Sequence, residues 1–491
     1  MERLIAVFLL ILPLGSQATM PLTTIDLTTR ALVTSLSYAS LHAAAPRSIM
    51  PPYNYRDDAL GDILSVDVVN PAMRQAVSVP VQLAAVDDLV YVWVERGIPY
   101  ATADLTEFAR RIWQEVIEPV DALWGPDTGA FQIHIVLSEQ VGGSLDAYYK
   151  YHPFDALAAP RIVINAARFP TLDDPLLWSR LAHEYQHLLR HFDTGGVPAW
   201  LNEGYSVYTE QALNLSNTSY LVVEWWVAPQ TPLMGWSGTL ADYGASLRFV
   251  EYIEQRFGGI VRRELSRERG HGYPALKATL QRHMPTNVET LLADVVLDRL
   301  VRPVIQSPLR VERVQRLPYN TRGMLAQTGT HLWQLDPPSS GVLQLDFTQP
   351  TDAPLIPNVA CGEDRFMFAL PVDNSENVLT MPLDLRNAAD PTLYFDVWYD
   401  LEQYWDYATI AASVDGRTWT YLTTPAMTSD NPWRRARAAG YTGSSGGWTS
   451  ETLDLSAFAG QQVTLRFEVT HDESKTSWGV ALDNVRVGRS G

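Results

Sequence analysis

The side chains equipped for chemistry lie in residues 181–210, LAHEYQHLLRHFDTGGVPAWLNEGYSVYTE, which open with an HExxH pattern. His183 and His187 are four residues apart, so on a helix they share one face a turn apart, and two imidazoles can bind a single ion at about 2.0–2.1 Å. Glu184 then lies roughly 100° round the helix axis. From that position a carboxylate reaches a water on the metal without being a ligand, as a general base must. A catalytic zinc site needs three protein ligands and one open position, so a third ligand has to come from elsewhere.

Two candidates present themselves. Asp193 stands where the last ligand falls in the metzincin pattern HExxHxxGxxH, but Arg190 occupies the position of the turn glycine. The helix is therefore expected to run to about Phe192 and to carry Asp193 away. Glu203 lies in Trp200-Leu201-Asn202-Glu203-Gly204, at the opening of a new helix after Gly195, Gly196 and Pro198.

The combination of HExxH with a downstream WLNEG glutamate resembles the gluzincin metallopeptidases, and the WLNEG wording is close to their aminopeptidase branch. The resemblance implies that His183, His187 and Glu203 bind one catalytic Zn2+ and that Glu184 activates the water. Two departures stand out: the loop between His187 and Glu203 is shorter than in typical aminopeptidases, and Val207 replaces a thermolysin-type Asp. Glu210, two turns after Glu203, is either a partner that orients a ligand histidine or a solvated surface carboxylate. Tyr243 opens the helical stretch DYGASLRFVEYIEQRFGG and resembles the tyrosine that begins a comparable helix in those aminopeptidases. That likeness implies a donor for the oxyanion formed during hydrolysis, with an ordinary packing tyrosine as the plain alternative. The strand RIVIN, residues 161–165, is the candidate for pairing with a substrate backbone, or simply sheet core. No GxMEN-type anchor for a free amino terminus is found, which favours an endopeptidase.

The elements that must position these groups are legible from periodicity. Asp174 suits a helix N-cap, Pro175 its first turn, and Gly195 with Gly196 its end. Leu177, Leu181, Tyr185, Leu188 and Phe192 form one apolar stripe, roughly opposite the two histidines. Upstream, 89–94 and 131–137 read as strands and 102–124 as a helix; helices are expected from 174 to about 300. Beyond Pro303 strands take over, and Asp415-Gly416 signals a tight hairpin in which both residues need positive φ. The segments DYATIAASVDGRTWTYL, GSSGGWTSETLDLSAFAGQQVTLRFEV and WGVALDNVRV resemble the β-sandwich of immune inhibitor A-type secreted metallopeptidases.

The expected class is α+β: a zincin-like catalytic domain with a mixed sheet and helical lobe, then an all-β jelly-roll or β-sandwich. The divisions are a signal peptide at 1–18, a leader or small β-rich lobe at 19–80, and the zincin-like domain at 81–305. A linker with β-rich segments follows at 306–390 and the sandwich at 391–491. In the sandwich, Asp396, Glu402, Asp406, Asp472 and Asp483 are candidates for Ca2+ or plain solvated carboxylates.

Composition sets the outer limits. With 37 Lys and Arg against 55 Asp and Glu over 491 residues, the net charge of −18 repels phosphate, which argues against nucleic acid as a partner. The apolar run from Leu4 to Leu14 follows Arg3 and precedes the small residues Ser16 and Ala18. It is too short to anchor in roughly 30 Å of hydrocarbon and reads as an export signal cut after about Ala18. Cys361 is the single cysteine, so no internal disulfide forms and stability must come from packing or metal. The expectation is a secreted zinc endopeptidase acting on protein or peptide. The alternative is a non-catalytic extracellular protein that contacts glycan or protein through its sandwich.

Overall fold

The computed structural model describes residues 56–301, 366–472 and 477–489 with short internal breaks, together with strand segments at 4–9, 23–25, 47–48, 312–314, 329–335 and 343–345. In the first part, six strands form one mixed sheet. They are β1 (Ile63–Asn70), β2 (Gln75–Asp87), β3 (Val90–Glu95), β4 (Ile133–Ser138), β5 (Ala147–Lys150) and β6 (Arg161–Asn165), in the order β1-β2-β3-β4-β6-β5. β3, β4 and β6 run parallel, while β5 returns antiparallel along β6 and closes that side.

The period of two along each strand divides the apolar residues between two faces. Val90, Val92, Ile133, Ile135, Ile162 and Ile164 turn to the helices. Trp93, Val136 and Val163 pack on the opposite face with Val66, Val68 and Leu83. Because β2 pairs with both β1 and β3, it runs straight through residue 80, where the sequence suggested a boundary. The stretch from residue 63 therefore belongs to this sheet and not to a separate leader. The cause is a pairing between distant residues that no local pattern announces.

The helices are α1 (Thr102–Ile112), α2 (Glu118–Trp124), α3 (Pro175–Asp193), α4 (Ala199–Ala212), α5 (Ser219–Val227), α6 (Leu240–Arg267), α7 (Tyr273–His283) and α8 (Val288–Val301). Between α1 and α2 the path loosens into a π-helical turn at Trp113–Ile117. Pro119 has no N–H for the carbonyl four residues back, so a regular helix over 102–124 is not available there. At the start of α3, the Asp174 carboxylate accepts the Leu176 N–H at 2.9 Å. Leu177, Leu181, Tyr185 and Leu188 are then buried in the core between sheet and helical lobe. α6 does not stop at Gly258. That residue takes φ 81°, ψ 172°, and the helix resumes beyond the kink. Among the described residues, no helix is long and apolar enough to cross a membrane.

α5 and α6 cross at Gly244, where an added Cβ would lie 1.9 Å from the Leu221 carbonyl oxygen. The obstacle is backbone and cannot rotate away. Gly244→Ala is therefore expected to cost more than the roughly 1–3 kcal/mol typical of overpacking, read as a lower urea midpoint for unfolding. An unchanged midpoint would show that the two helices separate freely.

The C-terminal part is two antiparallel sheets. One carries strands Met367–Ala369, Gly479–Arg489, Pro391–Asp400 and Thr449–Asp454, in that order. The other runs Thr420–Leu422, Tyr407–Ser413, Gln462–Thr470, Ser375–Asp384 and, at its edge, Arg47–Ser48. Leu393, Phe395, Val397, Ile410, Leu465 and Phe467 fill the core between them. Strands at 367 and 375 thus join these sheets ahead of residue 391. In the hairpin near 415 only Gly416 has positive φ. The Asp415 carboxylate instead accepts the N–H groups of Arg417 and Thr418, giving a longer turn. A loop of this part meets the first sheet, where Ala76 N–H donates to the Pro432 carbonyl at 2.9 Å and Arg434 pairs with Asp67 at 2.5 Å. Within the apolar run expected to be an export signal, Leu4–Leu9 is a strand paired antiparallel with Thr330–Leu335.

Candidate metal centre

α3 presents His183 and His187 on one face with ring centroids 4.9 Å apart, and α4 brings Glu203 against both. His183 Nε2 lies 3.2 Å from Glu203 Oε2, and His187 Nε2 lies 3.7 Å from Glu203 Oε1. All three ligand atoms fall within 4.8 Å of one another. Two ligands held tetrahedrally at about 2.0–2.1 Å from one ion are about 3.4 Å apart, so these separations suit a zinc-sized cation.

Hydrogen bonding shows why something positive belongs there. His183 Nδ1–H donates to Glu210 Oε1 at 2.7 Å, which leaves Nε2 with its lone pair towards Glu203 Oε2. That oxygen is buried and has no hydrogen bond of good geometry. Two electron-rich atoms facing each other require a proton or a metal ion between them. Without metal the site takes the proton. Burial opposes charge on His183, but the Glu203 and Glu210 carboxylates beside its two nitrogens outweigh burial and lift its pKa to about 10. Burial likewise works to raise Glu203, yet the His187 and His183 imidazoles hold it below the ordinary carboxylate value.

The flanking groups are also in place. Glu184 Oε2 accepts the Tyr149 backbone N–H at 2.7 Å, so the carboxylate is tied to strand β5. Tyr243 stands in the first turn of α6, whose start is set by a capping box between Thr239 and Asp242. Its ring meets Trp236 edge-on at 4.8 Å, and its hydroxyl lies within the field of the Glu203 carboxylate. The Glu203 charge, and then burial, push that hydroxyl far above the usual tyrosine value. α3 continues through Asp193, whose side chain lies outside the described residues, as do Phe192, Gly195 and Gly196.

For Glu210 and for the strand RIVIN the sequence left two alternatives each. Glu210 is buried, not solvated at the surface: it accepts Ser179 Oγ at 2.6 Å besides His183, while Ser206 Oγ lies 3.2 Å from His187 Nδ1. The signal for Glu210 was its spacing of seven from Glu203, two turns along one face. RIVIN is not an edge, because β6 pairs with β4 on one side and β5 on the other. The open edge beside Glu184 belongs to AYYK, residues 147–150, whose return direction follows from sheet order and not from composition.

In the sandwich, Asp396 accepts Ser450 Oγ at 2.6 Å and Asn484 Nδ2 at 2.7 Å, and Asp406 is buried against His471 Nδ1 at 3.0 Å. Among the described residues, His183, His187 and Glu203 are the one group of three that converges as a metal site would.

Residues 348–491 match the sequence family described as immune inhibitor A-like, MAM domain. The pre-pro-metalloprotease PrtV of Vibrio cholerae is 30% identical over 115 residues, covering 23% of this chain and 12% of that protein. Bacillopeptidase F of Bacillus subtilis is 24% identical over 168 residues, covering 33% of this chain and 10% of that protein. The chain thus spans about a tenth of the length of these curated relatives. A cleaved adhesin domain of Lys-gingipain from Porphyromonas gingivalis is similar in structure at 24% identity and a TM-score of 0.16, over 27% of this chain and 70% of that one. The C-terminal segment therefore carries the MAM-type sequence, an affinity seen above in its GWTSETLDLSAFAGQQVTLRFEV wording.

Proposed function

We propose that the chain is a secreted zinc-dependent endopeptidase of gluzincin type, with a zincin-like catalytic lobe. The observation that carries this reading is the convergence of His183, His187 and Glu203, with Glu184 and Tyr243 beside them. His183, His187 and Glu203 would hold the ion, His183 steadied by Glu210 and His187 by Ser206. When bound, zinc supplies Lewis acidity and makes water a stronger acid near neutral pH.

The chain's own residues account for the proton traffic. Glu184 takes a proton from the attacking water as its oxygen bonds to the peptide carbonyl carbon. The Tyr149 N–H holds one Glu184 oxygen, leaving the other for that transfer. The high pKa of Tyr243 keeps its hydroxyl protonated, so it can donate to the oxygen on which charge develops. Glu184 then returns the proton to the departing amine as the C–N bond breaks. The open edge of β5 favours an extended substrate paired as a further strand, which suits cleavage within a chain.

Metal analysis of the purified chain tests the reading. Zinc near one per chain, lost to a chelator together with casein hydrolysis and restored with it, is the expected result. Casein hydrolysis that persists after complete metal removal would defeat it.

A further inference from the structure

Arg180 stands three residues before His183 on α3 and meets both halves of the site. Its Nε donates to Asp146 Oδ2 at 3.2 Å, and its Nη1 lies 3.2 Å from each Glu210 carboxylate oxygen. Asp146 immediately precedes β5, and Tyr149 of that strand donates its N–H to Glu184. Glu210 in turn accepts from His183 Nδ1. One guanidinium therefore joins two lines of contact, one ending at the proposed base and the other at a proposed ligand.

A guanidinium beside a cleft can bind a substrate anion or hold other residues in position, and the local charge decides between these roles. Asp146 and Glu210 already offset its single charge, and Glu184 and Glu203 add further negative charge nearby. Its fork is thus already engaged by two carboxylates of the protein itself, which is the arrangement of a residue that holds others in position. A planar fork also suits two carboxylates at fixed directions, which a lysine ammonium cannot match. With its side chain 29% exposed against a Glu210 side chain that is 3% exposed, the bridge is partly withdrawn from water.

We propose that Arg180 is a positioning residue that holds both the substrate-facing edge strand, through Asp146, and the partner of a metal-binding histidine, through Glu210, so that losing this one side chain disturbs strand placement and metal affinity together. This rests on the metallopeptidase reading, and the test separates the two.

The full chain is measured with zinc in two ways: zinc affinity by competition with a chromophoric chelator, and amide hydrogen exchange over residues 147–150. Arg180→Ala is expected to weaken zinc by about 10- to 100-fold, the range for a residue behind a ligand, and to speed exchange in that strand by about tenfold. Asp146→Asn cuts one arm and should speed exchange with little change in zinc. Glu210→Gln cuts the other and should weaken zinc with little change in exchange. Arg180→Lys keeps charge without the fork and should move both quantities in the direction of alanine; it replaces Arg180→Ala should that variant not fold. If Arg180→Ala moves neither quantity, or only one, the coupling is wrong. If Glu203→Ala also keeps its zinc, the metal reading has failed. If Glu203→Ala loses zinc while Arg180→Ala leaves both readouts unchanged, only the coupling has failed.

Discussion

Glu184→Gln is expected to keep zinc at its wild-type stoichiometry and to lose about 10²- to 10⁴-fold of kcat on casein, the usual worth of a positioned general base. The amide has the shape of the carboxylate, and its carbonyl oxygen can still accept the Tyr149 N–H that now reaches Glu184 Oε2. What it lacks is the ability to take a proton from water. A fall in kcat with unchanged zinc content therefore separates the base from the ligands. Tyr243→Phe should fall less, by about 10²-fold, because it removes one hydrogen bond to the oxyanion and no proton transfer. Wild-type hydrolysis by Glu184→Gln would sink the assignment.

Glu203→Ala is expected to release the metal. Without that carboxylate the two imidazoles are the remaining protein ligands of the group, and zinc affinity should fall by more than the 10- to 100-fold typical of residues behind a ligand. Peptidase activity should go with it at ordinary zinc concentrations. The change also removes the negative charge beside the Tyr243 hydroxyl and leaves His183 facing an empty space where Oε2 stood. The fold should survive, because α4 is held by Trp200, Leu201, Tyr205 and Val207 in the core. Chelator competition alongside circular dichroism distinguishes metal loss from unfolding. Retention of tight zinc by a folded Glu203→Ala would move the third ligand elsewhere.

The local part of the site was legible in the chain. Helical periodicity converts a spacing of four into a shared face, so His183, His187 and the apolar stripe behind them followed from the order of residues. Asp174 as a cap and Glu184 as a side-on carboxylate follow from the same geometry. Runs of β-branched and aromatic residues likewise located β3, β4 and β6 to within two residues. The resemblance of WLNEG then singles out Glu203.

Contacts between elements far apart in sequence were decided by the tertiary structure alone. The direction of α4 brings Glu203 to 3.2 Å from His183 and, two turns further on, buries Glu210 against the other nitrogen of that ring. Sheet order put β5 outside β6 and so made Ala147–Lys150, in place of RIVIN, the edge strand beside Glu184. It also carried β2 through residue 80, joining what looked like a leader to the main sheet. Sequence by itself determined which side chains share a face within one element, because that depends on dihedral repeat. Which elements become neighbours, and hence which buried side chains converge, depended on long-range packing that dihedral repeat does not encode.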